Sequence, residues 1–423
     1  MSYGNVCQRP HIGERFWMSG VLSGVRVVEM ASWTYVPSAG AALSDWGADV
    51  IKVESVEFGD PSRALVVGGF TRDAARVDAD FMLELSNRGK RSLAIDLKSE
   101  VGRELFGKLL ASADVLLTNW LPGALERARL TVEDIRGFNP DIIIARGSGL
   151  GVRGPDADQG GFDGATYSAR GGVAYTLTPF GAEYPAVQGP AFGDLQAGAT
   201  LAGGVCAALF HRERTGEATI VDSSLLAQAM WAIAPAILVA DFFETDGIPG
   251  APPGVAFNPV VNRYKTRDGR WLQLVFLQPD RFWAGFCRRI GRPELAVDER
   301  FVPSANLLAN AAEAITILNE TFAGQDLGHW QKVLEDEPGV WAAYATPRET
   351  LNDRQNEPNG YLVNNVDGDG NRYRTVAAPV QFGETPPEPA RAPEHGQHTE
   401  EILMELEIDW DDIEKAKAAG AII

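Results

Sequence analysis

Residues 25–54 read VRVVEMASWTYVPSAGAALSDWGADVIKVE. The two ends, Val25–Glu29 and Val50–Glu54, are short runs dominated by Val and Ile, and Pro37–Trp46 between them carries a helical pattern. Strand, helix and strand in so short a span describe a β-α-β unit with parallel strands. Further runs of the same kind follow at Leu93–Leu97, Val115–Thr118 and Ile142–Arg146. Their near-continuous Val, Ile and Leu content is that of strands covered on both faces. Helix patterns lie between them, as at Ser99–Ala111, and Thr131-Val-Glu-Asp134 has the form of a capping box with Asp at the third helical position. The expected fold class is α/β.

Working outward, the sequence predicts a helix of small residues at Ala197–Arg214, a strand at Thr219–Asp222 and a long apolar helix at Leu225–Phe243. Thr245–Val255 (TDGIPGAPPGV) is a linker, because its Gly and Pro content suits neither helix nor ladder. After it the pattern changes. Asn262–Lys265 and Trp271–Phe276 flank Arg267-Asp268-Gly269-Arg270, a hairpin with an Asp-Gly turn. Helices are expected at Arg281–Ile290, Asn310–Phe322 and Leu327–Leu334, strands at Tyr361–Val366 and Tyr373–Ala377, a Pro-rich loop at Glu384–Pro393 and a terminal helix from Thr399. The expected domains are therefore 1–244, a linker 245–255, a small domain 256–345, and a return segment 346–423.

With 423 residues, 45% hydrophobic and 22% charged, the chain has the composition of a globular protein of two or three domains. Its net charge of −19 argues against general nucleic-acid binding, which needs a basic footprint. Cys7, Cys206 and Cys287 are too few and too scattered for a disulfide framework. The first twenty residues lack the build of a signal peptide. Gln228 and Pro235 interrupt the most apolar stretch, which falls short of the ~20 residues a bilayer requires. The expectation is a soluble, cytoplasmic protein with no membrane partner.

Gly149-x-Gly151-x-x-Gly154 follows a strand, but the polar, turn-rich PDADQGG after it offers no helix to hold a pyrophosphate. None of the five histidines (His11, His211, His329, His395, His398) belongs to a metal-binding spacing, and no metal site is expected; His395 and His398 read as solvated or turn-forming. Positive charge gathers at Arg88, Lys90, Arg91 and Lys98, and again at Arg127 and Arg129 beyond Asn119-Trp120. These residues suit a phosphorylated ligand with Trp120 beneath a base, or else a solvated basic face with Trp120 in the core. Asp163, in Gly160-Gly-Phe-Asp-Gly164, and Asp194, after Gly193, are flanked by glycines that permit close backbone approach. Asp194 has two readings: a helix N-cap, or a carboxylate poised near backbone N–H groups for nucleophilic or acid–base work.

Taken in order, Leu22–Glu29, Gly47–Glu54, Gly59-Asp-Pro-Ser-Arg63, Asn87–Ser92, Asp96-Leu-Lys98, Asn119–Leu125, Gly161-Phe-Asp163, Gly193-Asp194, Arg212–Gly216 with Val221-Asp222, Asp268-Gly269, Ala392-Pro393 and Gly396–Thr399 resemble the class III coenzyme A transferases. That family includes formyl-CoA transferase, carnitine CoA-transferase and α-methylacyl-CoA racemase. The resemblance implies a Rossmann-like large domain built from both chain ends, a smaller α+β middle domain and an interlocked homodimer. It implies transfer of CoA from an acyl-CoA to a free carboxylic acid, with no cofactor beyond the thioester. The nucleophile maps onto Asp194, which would form an anhydride and then an aspartyl-CoA thioester. Asp163 maps onto a supporting position, and CoA binding onto Lys98, Asn119, Trp120 and Arg127.

Departures from the family pattern refine this. A Gln that lines the active site of formyl-CoA transferase is replaced within Ser32-Trp33-Thr34-Tyr35, and an Arg after the second strand's Glu is Ser55. The polyglycine loop has no counterpart near Val255–Val261. A formyl/oxalyl pair is thereby disfavoured, and Trp33 and Tyr35 become candidates for a larger apolar acyl pocket, or for the core. Phe162 stands where the racemases carry a His, and a Phe cannot move a proton, so transferase ranks above racemase. A non-catalytic acyl-CoA-binding protein, with Asp194 only a cap, is the remaining alternative.

Overall fold

The strands expected between Val25 and Asp222 all join one sheet in the computed structural model, which describes residues 20–70, 72–247 and 258–423. β1 (Arg26–Met30), β2 (Asp49–Glu54), β3 (Arg91–Ala94), β4 (Val115–Thr118), β5 (Ile143–Ser148) and β6 (Ile220–Ser224) are parallel, in the order β3-β2-β1-β4-β5-β6. The order reverses between β1 and β4, the switch point at which open parallel sheets place their ligands. Both faces are covered. Val27, Val50, Val115, Leu117 and Ile143 face a core shared with the helices Tyr35–Asp45 and Phe192–Thr215. Their neighbours Val28, Ile51, Leu116 and Ile144 face a second core, shared with Glu100–Ala111 and the C-terminal helices Thr399–Glu405 and Trp410–Ala418.

On the first face the two long helices touch through small residues. A Cβ on Gly198 would stand 1.9 Å from Ser38 Oγ and 2.8 Å from the Tyr35 carbonyl oxygen, so only glycine permits this approach. The contact brings the start of the Phe192–Thr215 helix against the loop that leaves β1.

Beneath that loop lies a fully buried charge network. Glu29 of β1 is in register with Lys52 of β2, whose ammonium is 3.0 Å from Glu29 Oε1, 2.7 Å from Asp60 Oδ2 and 3.0 Å from the Ala31 carbonyl. The other Glu29 oxygen, Oε2, pairs with Lys90 at 2.6 Å, and Lys90 also donates to the Pro37 carbonyl and Asn87 Oδ1. Burial opposes the charge on Lys52, but Glu29, Asp60 and Glu54 outweigh it and raise its pKa. Burial pulls Lys90 down against Glu29, while its three acceptors are the complement of an ammonium. The expected basic cluster is thus no ligand site: Lys90 is buried in this network, Arg88 is paired with Asp45 at 2.6 Å, and Arg91 with Asp49 at 2.6 Å and Glu405 at 2.7 Å.

The chain divides into two compact units. One takes residues up to Tyr175, Val187–Ile237 and Gln355–Ile423; the other takes Thr176–Ala186 and Leu238–Arg354, a wider span than the expected 256–345. In the first unit the C-terminal segment closes the edge of β3: Ala421 O accepts the Asp96 N–H at 2.8 Å, Ile422 bridges Ile95, and Ser92 O accepts the His398 N–H at 3.0 Å. His395 and His398 are therefore anchors, with His395 Nε2 2.7 Å from the Ser55 carbonyl and His398 Nδ1 accepting from Ser92 N–H. The second unit holds a three-stranded antiparallel sheet, β7 (Arg263–Lys265), β8 (Trp271–Val275) and β9 (Val340–Ala343), with Gly269 of the Asp-Gly turn at φ +77°. It has its own core of Tyr264, Phe276, Trp283, Phe286, Phe322 and Trp330. The hairpin β10 (Leu362–Val366) and β11 (Arg372–Val376) belongs to the first unit.

Some boundaries differ from expectation. β3 stops at Ala94, three residues short of Leu97. The apolar Leu225–Phe243 stretch breaks at Ile233 into Leu225–Ala232 and Ala234–Phe243, because Pro235 has no N–H to give the preceding turn. Among the described residues no single helix is long and apolar enough to cross a membrane. The terminal helix is two helices, and the expected linker lies, from Ile248 to Val255, outside the described residues. Removing one member of the charge network strands the others in a medium that does not solvate them. Lys52→Met is expected to cost about 3–5 kcal/mol, read as a lowered urea midpoint for the first unit.

Candidate active site

Glycines that looked like a phosphate loop instead allow two backbone segments to touch. A Cβ on Gly149 would lie 2.7 Å from Gly161 Cα, and no helix follows Gly154 directly, so this stretch is a turn. The close approach carries Phe162 and Asp163 past the end of β5. From Gly164 to Arg170 the chain winds as a π-helix, a form concentrated at functional sites.

Asp163 then reaches across to the helix Phe192–Thr215. Its Oδ2 accepts the Gly193 N–H at 3.0 Å, and the N–H groups of Asp194 and Phe192 also favour its charge. Asp163 is thus the cap of this helix, supplied from about thirty residues upstream, whereas the local N-cap is Ala191, left-handed at φ 59° and without a side-chain bond. Asp194 is not the cap. It occupies the third position of a helix that begins five residues before the expected Ala197. Gly193 is required here, since a Cβ would meet the Tyr167 ring at 2.3 Å and Asp163 Oδ1 at 2.7 Å. Tyr167 is buried, with its hydroxyl 3.2 Å from Gln196 Oε1.

Two carboxylates therefore share one helix terminus. Burial, and then the like charge of Asp163, push Asp194 up to about 7. Burial also raises Asp163, against the pull of its backbone donors, and its Oδ1 is buried with no hydrogen-bond partner. Neither carboxylate owes any part of its shift to a cation. An anionic Asp194 is thus disfavoured here, and any uncharged form, protonated or acylated, is correspondingly favoured.

The other expected residues fall in two places. Lys98 and Trp120 line one cleft of about 440 Å³ at the carboxyl ends of β1 and β2, with Met30–Ser32, Val53–Pro61 and Ile95–Leu97. Trp120 both borders the cleft and packs against the second core. Asn119 serves the switch point itself: its Nδ2 donates to the Ser32 carbonyl at 2.8 Å and its Oδ1 accepts the Ser32 N–H at 3.2 Å, tying the loop after β4 to the loop after β1. Arg127 is exposed and outside the cleft lining, near Gly123 and Asp158.

Trp33 follows Ser32 and adopts φ 70°, where a bulky side chain costs about 1–3 kcal/mol. Its N–H donates to Asp60 Oδ1 at 3.2 Å, so the buried charge network holds this backbone in place. Its ring meets Phe162 edge-on, with centroids 5.6 Å apart. Tyr35, by contrast, is buried at the start of the first helix and belongs to the core. The resemblance places Phe162 at the racemase His position beside Asp163; sequence reasoning missed Tyr167 and Gln196, for which it offered no signal.

The folded chain binds a proton at Asp194 at pH values where the unfolded chain has lost it, so this residue's contribution to stability falls as pH rises from about 4 to about 7. Asp194→Asn is therefore expected to gain in Tm over the wild type progressively across that window and to keep a constant margin above it, as differential scanning calorimetry at several pH values will show.

Comparison with known proteins agrees with this geometry. Residues 22–399 match the model of the family described as CoA-transferase family III. The chain is 33% identical to the (R)-2-hydroxy-4-methylpentanoate CoA-transferase of Clostridioides difficile over 95% of its own length and 99% of that protein's. It is 33% identical to the cinnamoyl-CoA:phenyllactate CoA-transferase of Clostridium sporogenes, over 94% and 97% of the two chains. A crystal structure of a CAIB/BAIF family protein from Brucella suis superposes with a TM-score of 0.76 at 28% identity, covering 92% of this chain and 99% of that one. With the family model matched over residues 22–399 and relatives and fold agreeing over nearly the whole length of the chain, this protein belongs to CoA-transferase family III.

Proposed function

We propose that the protein moves coenzyme A from an acyl-CoA to a free carboxylic acid through covalent intermediates on Asp194. The carrying observation is the pairing of Asp194 with Asp163 at one helix terminus, where burial and the like charge oppose ionisation of Asp194. A carboxylate Oδ of Asp194 attacks the thioester carbonyl; the C–S bond breaks, CoA leaves as thiolate and an acyl-aspartyl anhydride remains. The thiolate attacks the Asp194 carbonyl carbon, expelling the donor acid and leaving an aspartyl-CoA thioester. An incoming carboxylate forms a second anhydride with release of thiolate, which attacks the new acyl carbon and regenerates Asp194.

In this reading Asp163 is a positioning residue: it holds the helix terminus and raises the basicity of Asp194. Lys98 offers charge to a CoA phosphate, Trp120 a flat surface for the adenine, and Asn119 fixes the loop between them, with Arg127 at the periphery. The steps need only the thioester, the acid and Asp194. Phe162, which offers no proton carrier, and the transferase names of the relatives favour transferase over racemase. The relatives' names support organic acids with an apolar side chain as acceptors. A cytoplasmic homodimer completes the proposal; the dimer is supported by the helix Ala234–Phe243, apolar except for Asp241 and with none of its residues buried, and by Trp231 at 78% exposure.

Incubating the protein with acyl-CoAs in deuterated water and trapping with hydroxylamine should modify the peptide bearing Asp194. Deuterium at the acyl α-carbon with an unmodified protein would instead mark a racemase. Asp194→Ala should lose at least ~10³-fold in kcat, with CoA affinity retained. As the nucleophile must be ionised, kcat/KM should rise with pH through about 7. Asp163→Asn keeps an acceptor for Gly193 but removes the like charge, and should move that rise to lower pH.

A further inference from the structure

We infer that Trp33 and Phe162 form the wall that selects the non-CoA part of the substrate, and that this wall admits monocarboxylic acids with an apolar tail while rejecting dicarboxylic acids. The inference rests on the CoA-transfer reading for the location of the reacting carboxyl group.

The two rings are the wrong kind of surface to leave open without a use. Phe162 is 61% exposed and Trp33 36%, yet they are locked edge to face. The pair is anchored from both sides. Trp33 is held in the left-handed region by Asp60, whose other oxygen is paired with buried Lys52, and the residue before it is tied down by both polar atoms of the Asn119 side-chain amide. Phe162 is fixed by the Gly149–Gly161 contact on one side and by Asp163 on the other.

The position along the chain matters as much as the packing. Ser32 and Asp60, which flank and hold Trp33, line the cleft that takes Lys98 and Trp120, whereas Phe162 is covalently next to Asp163. The ring pair therefore links the loop that borders the cleft to the segment bearing Asp163, the residue that caps the Asp194 helix terminus.

The charges decide between acids. A second carboxylate on the substrate would find two aromatic rings and two protein carboxylates, with no cation in the field of either aspartate. The arginines on the same segments are already engaged: Arg146 and Arg153 by Asp222, Arg170 by Asp156. Desolvating a distal carboxylate with no counter-ion is costly, while a branched or aromatic tail gains from contact with the rings.

Calorimetric titration of the intact protein with 3-phenylpropanoate, 4-methylpentanoate and glutarate tests this without requiring turnover. The wild type is expected to bind the two apolar acids at least tenfold more tightly than glutarate. Trp33→Ala and Phe162→Ala should each bring the ratio below threefold, and Phe162→Leu should preserve it. CoA affinity within threefold of wild type certifies that each variant is folded. Glutarate bound as tightly as the apolar acids, a ratio that survives both alanine variants, or no binding of any acid would overturn the inference. Hydroxylamine trapping at Asp194 on the same protein preparations, after addition of an acyl-CoA as donor, separates the two ideas. A ring-dependent ratio without any Asp194 modification refutes CoA transfer and leaves the selection standing; modification with a ratio indifferent to both rings refutes the selection alone.

Discussion

The ammonium of Lys52, buried between Glu29 and Asp60, is the contact on which the working end of the sheet depends. Two parallel strands bring Glu29 and Lys52 side by side, and everything charged nearby must then be satisfied without water. Lys90 takes the second oxygen of Glu29, and Asp60 gives buried Lys52 a second carboxylate partner. Glu54, two residues further along β2, is closed by Arg63 and by a bond from Ser92. Such a network is weak evidence for stability, since well-packed apolar residues of like volume often do as well. Its value here is geometric: it fixes the loops after β1 and β2, and through Asp60 it fixes Trp33.

A second constraint is set by the Phe192–Thr215 helix. Gly198 lets it lie against the first helix, and Gly193 lets Tyr167 and Asp163 close over its start. Both contacts place Asp194 where solvent is largely excluded and a like charge is near. The site thus gains its chemistry from an arrangement that is unfavourable for an isolated carboxylate, a trade common to functional positions.

The sheet was legible because its chemistry is local and repetitive. Strands covered on both faces are rich in Val, Ile and Leu, and β1, β2, β4 and β5 announce themselves in that way despite the buried charges of Glu29 and Lys52. The capping box at Thr131 and Asp134 formed as its spacing implied, with each side chain bonded to the other's backbone. What was not legible depended on residues far apart. Gly193 argues against a helix start, and only Asp163, folded back from another segment, supplies the missing cap. Arg88, Lys90 and Arg91 look like an anion site until the carboxylates that neutralise them, Asp45, Glu29, Asp49 and Glu405, arrive from elsewhere in the chain. The family resemblance found Asp163 and Asp194, yet the reason they belong together is a tertiary hydrogen bond.

The closing of the β3 edge by Ala421 and Ile422 also fixes an order of events during biosynthesis. β3 is complete once residue 94 has left the ribosome, but its outer edge and the segment Ile95–Lys98 beside the cleft await partners more than 300 residues later in the chain. The whole second unit is synthesised in the interval and has a core of its own. A nascent chain therefore carries an open strand edge, the feature that invites pairing with other chains, throughout most of its translation. A chain that stalls just before Ala421 already holds all six strands of the sheet, yet the segment beside the cleft still lacks the partners of Ile95 and Asp96.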